Sequence, residues 1–272
     1  MINAPLKIAV FPLDINWANP SKNIDAIKAA VTTLRPDTDI LVLPELFSTG
    51  FIADPQIFHK LAETDMGPTL SALRKIAAEK NIAIAGSYLS RNETSTEYYN
   101  RGFLIEPNGE TTYINKRHLF HVSPEAELLT EGKTTYAVVR YRGWNIALGV
   151  CYDLRFPVWC RNTMNRSRHA YDIFLLPANW PQARALALET LAKARAIENQ
   201  AYFVIANCSG TDEYGEYDGL TFVEDYIGTR VAQSTLESPS AIIYATADRE
   251  GLEKLRQYMP AGLDSDSFTI HY

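Results

Sequence analysis

The feature that most constrains this chain is a repeated alternation: short continuous apolar runs, then stretches whose apolar residues recur every three or four positions. Residues 6–13 and 39–45 carry runs of the kind buried on both faces of a sheet. Between them, residues 22–34 place Ile24, Ile27, Val31 and Leu34 on one helical face before Pro36 stops the helix. A second cycle follows, with a helix over 69–80 (Leu70, Leu73, Ile76, Ala77) and a strand over 81–89. Turn signals at Pro107-Asn108-Gly109 and Arg142-Gly143 predict two hairpins, 101–106 with 111–115 and 134–140 with 145–150. A third cycle predicts a helix over 158–168, a strand over 171–177, a helix over 184–199 and a strand over 202–208; a last strand falls near 241–246.

Two strand–helix–strand sequences separated by hairpins predict an α/β protein with a pair of mixed sheets and helices outside. That is a four-layer αββα sandwich in a single domain spanning 1–272, with 247–272 as a C-terminal tail engaged in packing or dimer contacts. On pattern alone a single doubly wound sheet competes. No linker, low-complexity tract or repeat period divides the chain.

A formal net charge of -6 leaves no basic footprint for nucleic acid or an anionic membrane. No apolar run approaches the roughly 18 residues of a membrane span. The first apolar stretch is interrupted by Lys7 and followed by Asp14, Asn16 and Asn19, so it does not read as a secretory signal. Three cysteines, an odd set in a large domain, point to reduced thiols and a cytoplasmic setting. The five histidines lack a paired-ligand spacing, so no metal and no other cofactor is expected.

Three polar residues stand where buried strands end, the edge on which α/β folds build their sites: Glu45 after Leu41-Val42-Leu43-Pro44, Lys116 after Thr112-Tyr113-Ile114-Asn115, and Cys151 after Ile146-Ala147-Leu148-Gly149-Val150. Separately each has an ordinary reading, as packing sulfur, loop charge or solvated cation. Together with their flanks they resemble the nitrilase-type carbon-nitrogen hydrolase family. The matching segments are Leu43-Pro44-Glu45-Leu46-Phe47 with Gly50-Phe51, Asn115-Lys116-Arg117-His118-Leu119-Phe120, and Gly149-Val150-Cys151-Tyr152-Asp153-Leu154-Arg155-Phe156-Pro157. Pro177-Ala178-Asn179-Trp180-Pro181 and Ala194-Arg195-Ala196-Ile197-Glu198-Asn199-Gln200 extend the match to about Cys208.

The resemblance implies the αββα fold and a catalytic set of Glu45 as general base, Lys116 as cationic stabiliser and Cys151 as nucleophile. It implies a second glutamate before Gly132; spacing favours Glu125, with Glu127 the rival. The backbone N–H of Tyr152 would serve the oxyanion while its side chain shapes the pocket, and Phe51 and Trp180 would form pocket wall. Arg184 and Arg155 are candidates to bind a substrate carboxylate, although Asp153 and Arg155 also read as an internal ion pair fixing the turn. His118 reads as rim or structure, and Arg195 with Glu198 as a structural pair.

Within the family, the Cys151–Pro157 run with Asn179-Trp180-Pro181 looks most like the ω-amidase branch, which implies a small-molecule partner: the terminal amide of 2-oxoglutaramate or 2-oxosuccinamate. Tyr152-Asp153 argues against nitriles. An N-carbamoyl amino acid or other aliphatic amide remains an alternative, as does an acyl-transferring or purely binding member. Family practice also implies a homodimer. Past Cys208 the sequence departs from the family, with Glu213-Tyr214-Gly215-Glu216-Tyr217-Asp218 replacing a glycine-rich strand pair.

Overall fold

The computed structural model describes residues 4–166 and 168–271. Ser167, inside the predicted helix over 158–168, and the termini of the predicted domain (1–3 and 272) lie outside the described residues.

The chain opens with β1 (Leu6–Val10) and α1 (Pro20–Thr32), whose N-terminus combines the fixed φ of Pro20 with Asn19 Oδ1 accepting from Lys22 N. β2 (Ile40–Val42), α2 (Pro55–Leu61) and α3 (Pro68–Lys80) follow. Next come β3 (Ala83–Arg91), β4 (Tyr98–Ile105), β5 (Thr111–Asn115) and the single turn α4 (Glu125–Leu128). The second half runs β6 (Ala137–Tyr141), β7 (Trp144–Leu148), α5 (Pro157–Cys160), and a two-residue ladder of β8 (Met164–Asn165) with β9 (Arg168–His169). It continues with β10 (Ile173–Ala178), α6 (Ala185–Asn199), β11 (Tyr202–Asn207), β12 (Ser209–Asp212) and β13 (Gly215–Asp218). β14 (Phe222–Glu224), β15 (Arg230–Gln233), β16 (Ile243–Ala247) and α7 (Arg249–Tyr258) complete it.

Two six-stranded sheets result, in the orders β16-β1-β2-β3-β4-β5 and β15-β14-β11-β10-β7-β6. Each is parallel at its centre (β1-β2-β3; β7-β10-β11) and antiparallel toward its edges. The division of the strands between two separate sheets rules out one doubly wound sheet. Strand alternation divides the apolar residues between two faces. Ile8, Val10, Ile40 and Val42 of the first sheet meet Ile146, Leu148, Ile173 and Leu175 of the second in one inter-sheet core. The opposite faces are covered by helices: Ile24, Ile27, Leu70 and Leu73 pack on the first sheet, and Leu188, Ala192 and Ala196 on the second. The four-layer αββα reading of the sequence holds.

The predicted helix over 158–168 is a correction: only Pro157–Cys160 is helical. Asn162 ends it by spending its side chain on neighbouring backbone, its Nδ2 donating to Tyr171 O (2.8 Å) and Asn199 O (3.0 Å) while its Oδ1 accepts from Tyr171 N (3.0 Å). The polar run after it has no apolar face to bury. Sequence reading also passed over α2, α4, the β12–β13 hairpin and α7. In α7, Leu252 is fully buried in the inter-sheet core, and the Arg249 guanidinium lies 3.9 Å from the Trp144 ring centroid. Among the described residues no helix is long and apolar enough to cross a membrane.

Because α7 is part of the core, Leu252→Ala is expected to cost about 2–5 kcal/mol of stability. A lower urea midpoint at unchanged m-value checks this; an unchanged midpoint would show α7 to be dispensable.

Candidate active site

β2, β3 and β5 run in one direction in the first sheet, and β7, β10 and β11 in one direction in the second, so the groups following these strands gather at one edge of the sandwich. Glu45, three residues past β2, is fixed from both sheets: Leu46 N donates to Ser87 Oγ (2.9 Å), and Asn179 N, past β10, donates to Glu45 Oε2 (2.9 Å). Lys116 follows β5, its own N–H bound to Asn100 O (2.9 Å). The chain returns past it so closely that a Cβ on Gly132 would sit 2.1 Å from Asn115 O, which restricts that position to glycine.

The buried Lys116 ammonium lies between two buried carboxylates. Its Nζ donates to Glu45 Oε1 (2.8 Å) and to Glu125 Oε1 and Oε2 (2.7 and 2.9 Å). Burial works against the ammonium, but Glu125 and then Glu45 outweigh it and hold the Lys116 pKa well above its ordinary value. Glu125 opens α4 and also accepts from Phe120 N (2.7 Å). Its rival Glu127 is exposed.

Cys151, three residues past β7, adopts a left-handed conformation, φ 46°, uncommon for a side chain with a Cβ. The turn is pinned by the wholly buried Asp153. Its Oδ2 accepts from Val150 N (3.0 Å), and its Oδ1 from His118 N (2.9 Å), with His118 Nδ1 at 2.8 Å. Asp153 therefore binds the turn that carries Cys151 to the loop that carries Lys116. The expected Asp153–Arg155 ion pair is a correction: His118 has taken the carboxylate, and Arg155 lies 4.9 Å from the Trp180 ring centroid instead. Burial and then Glu45 push the Cys151 thiol pKa well up, with Lys116 opposing, so the resting group is a neutral thiol beside a carboxylate.

Glu45, Lys116, Glu125 and Cys151 open onto one cavity of about 300 Å³. Tyr152, Phe51, Trp180, Arg155 and Arg184 line it too. Trp180 is held by its N donating to Asn207 Oδ1 (2.7 Å) and its Nε1 to Arg184 O (2.9 Å). Arg184 lies exposed at the rim, 5.1 Å from the Phe120 ring centroid. Three contributors escaped the sequence reading. Asn100, wholly buried, donates from Nδ2 to Glu45 Oε1 (2.7 Å); a polar residue inside an apolar strand was the available signal. Tyr214 and Tyr217 come from the segment that departs from the family pattern, with Tyr214 edge-on to Phe51 at 5.1 Å and Tyr217 Oη donating to Asp212 Oδ2 (3.1 Å). Arg195 pairs with Glu198 (3.0 Å) and donates to Leu154 O (3.1 Å), a purely structural arrangement. Among the described residues no group of three His, Cys, Asp or Glu is placed to hold a metal ion.

A thiol, a carboxylate that can take its proton and a fixed ammonium around one cavity can attack a carbonyl carbon and stabilise the resulting oxyanion. The family model for carbon-nitrogen hydrolases matches residues 7–257. The chain belongs to the carbon-nitrogen hydrolase family. Among its relatives, an omega-amidase from Yersinia enterocolitica is 35% identical over 97% of this chain and 98% of its own length. A 2-oxoglutaramate amidase from Bacillus subtilis is 29% identical over 93% of this chain and 95% of its own. A carbon-nitrogen hydrolase superfamily protein from Xanthomonas campestris, whose crystal structure carries an arsenic adduct in the active site, superposes with a TM-score of 0.91 at 35% identity, covering 98% of this chain and 99% of that one.

Two outcomes follow from this hydrolase geometry. Asn100→Ala, which removes one donor from Glu45, is expected to lower kcat about 10-fold with little change in KM; an unaltered kcat would deny Asn100 a positioning role. All three buried thiols have raised pKa values, burial being the first cause, so the folded chain keeps protons that the unfolded chain releases above about pH 8.5. Stability from this source is complete below that pH and declines above it. Thiolate absorbance at pH 9 is expected only after unfolding.

Proposed function

We propose that this hydrolase cleaves the terminal amide of a short 2-oxo dicarboxylic acid monoamide, of the 2-oxoglutaramate or 2-oxosuccinamate type, to acid and ammonia through a thioester on Cys151. Glu45 accepts the thiol proton as sulfur attacks the amide carbon. Lys116 Nζ and the Tyr152 N–H stabilise the oxyanion, one such donor being worth about 2.7–4 kcal/mol of barrier. Protonated Glu45 then gives its proton to the departing nitrogen, because an amide anion is too basic to leave, and ammonia departs. Glu45 next takes a proton from water as hydroxide adds to the thioester; the adduct breaks its C–S bond, the acid leaves, and the Cys151 thiolate takes that proton back from Glu45. Glu125 keeps Lys116 charged and in place.

The observation that carries the substrate class is the charge pattern of the cavity. Its two carboxylates both bind Lys116, and its remaining charges are the guanidiniums of Arg155 and Arg184, which have no ion-pair partner among the described residues. A substrate carboxylate finds a cation there, whereas the carboxylates that an ammonium would need are already engaged by Lys116. Arg155, half-buried and set against Trp180, serves as the inner anchor, and Phe51, Tyr152, Tyr214 and Tyr217 limit the length of the acid. The names of the relatives agree with this reading. We place the enzyme in the cytoplasm, which suits its three free thiols. We also read it as a homodimer, supported by exposed Val158 and Ile197 on α5 and α6; light scattering at twice the monomer mass checks this.

Ammonia release should be measured across 2-oxo acid amides, carbamoyl amino acids, nitriles and neutral aliphatic amides. The 2-oxo acid amides are expected to be preferred, with Cys151→Ala inactive on all. Faster turnover of carbamoyl compounds would reject the substrate class, and residual activity in Cys151→Ala would reject the thioester. Arg155→Ala is expected to raise KM for 2-oxo acid amides about 10- to 100-fold while sparing neutral amides. Hydroxamate formed with added hydroxylamine, in place of free acid, would indicate acyl transfer as the main reaction.

A further inference from the structure

A second cavity, of about 620 Å³, lies at the other edge of the sandwich. Its floor is the start of β7 and β10, the strands that end near Cys151 and Asn179. One wall is a face of α7 carrying Arg249, Glu253 and Arg256; Arg140 of β6 and Arg168 of β9 complete the cationic lining, with His169 beside them. Four guanidiniums thus face two carboxylates, Asp172 and Glu253, an excess of two positive charges in a chain whose formal charge is -6.

The four arginines are not equivalent. Asp172, itself buried, is shared between Arg249 Nη2 (3.2 Å) and Arg256 Nη1 (2.7 Å), which fixes these two at the base. Arg249 is more than nine-tenths buried, and among the described residues its Nε has no hydrogen-bond partner. Arg140 and Arg168 are exposed at the mouth, and among the described residues neither has an ion-pair or hydrogen-bond partner. The His169 pKa is lowered to about 4, by burial first and by Arg256 second, with Asp172 opposing. Cations held in a concave wall without counter-charges are an anion site, because convergent guanidiniums gain more from an oxyanion's fixed acceptors than from water.

We propose that this cavity binds a compact, multiply charged oxyanion, a phosphate group or a small dicarboxylate, between Arg140 and Arg168 over the Asp172-anchored arginines. The site is remote from Cys151 and independent of the amide assigned to the catalytic cavity.

Isothermal titration with inorganic phosphate and with 2-oxoglutarate, as separate arms, tests it. Arg155 and Arg184 could also hold anions, so titrations use wild type, Arg155→Ala/Arg184→Ala, and Arg140→Ala/Arg168→Ala. Binding of at least one ligand is expected to persist in Arg155→Ala/Arg184→Ala. It should weaken roughly 10-fold or more in Arg140→Ala/Arg168→Ala, the loss of a charge-assisted hydrogen bond. Arg140→Lys/Arg168→Lys, which keeps the charge and the fold, should recover most of that loss. Phosphate alone binding identifies a phosphate-type site, and 2-oxoglutarate alone a dicarboxylate site. The proposal is overturned if neither ligand binds Arg155→Ala/Arg184→Ala, or if Arg140→Ala/Arg168→Ala binds as tightly as wild type.

Discussion

An ammonium buried between two carboxylates is the interaction on which the catalytic edge depends. Lys116, Glu45 and Glu125 are each almost wholly buried, and an unpaired charge in such a place would cost several kcal/mol. The trio therefore forms together or not at all. It draws the loop after β2, the end of β5 and the turn α4 to one point, and once they are there the surrounding N–H groups of Asn100, Phe120 and Asn179 find their acceptors. The arrangement carries one net negative charge, which a neutral amide tolerates and which the unpaired guanidiniums of the cavity offset for an acidic substrate.

Cys151 is held by a different device. Cys151 and Leu46, the neighbour of Glu45, both adopt left-handed backbone, each at φ 46°. Such residues persist where the surroundings over-determine them. At Cys151 the determinant is Asp153, which ties Val150 N to His118 and so couples the sulfur-bearing turn to the lysine-bearing loop. Glu45 and Lys116 come from one sheet and Cys151 from the other, and they are kept in register by buried polar bonds rather than by a shared element.

The strands and helices were legible through their periodicity, which left a single doubly wound sheet in competition; the resemblance decided for the αββα layering. Glu45, Lys116 and Cys151 were legible through their flanking motifs, and Glu125 through its distance from Gly132, where the chain passes too close to Asn115 for any Cβ. What escaped depends on tertiary partners. The run after Cys160 looked helical until Asn162 found Tyr171 and Asn199. Arg155 looked paired with Asp153, because no spacing rule reveals that His118, 35 residues away, reaches that carboxylate first. Tyr214 and Tyr217 lie in a hairpin whose position over the cavity follows from its packing, not from its composition.

The acceptor count at Glu45 has a stereochemical consequence. Oε1 receives both Lys116 Nζ and Asn100 Nδ2, which occupies its two lone pairs; among the described residues the backbone donor to Oε2 is the Asn179 N–H. A single vacancy is left on the carboxylate, so any proton it carries must sit on Oε2. In the proposed reaction thiol, leaving nitrogen and water must then visit that one spot in turn. Acylation and hydrolysis become strictly sequential, and the water must enter where the ammonia has just left.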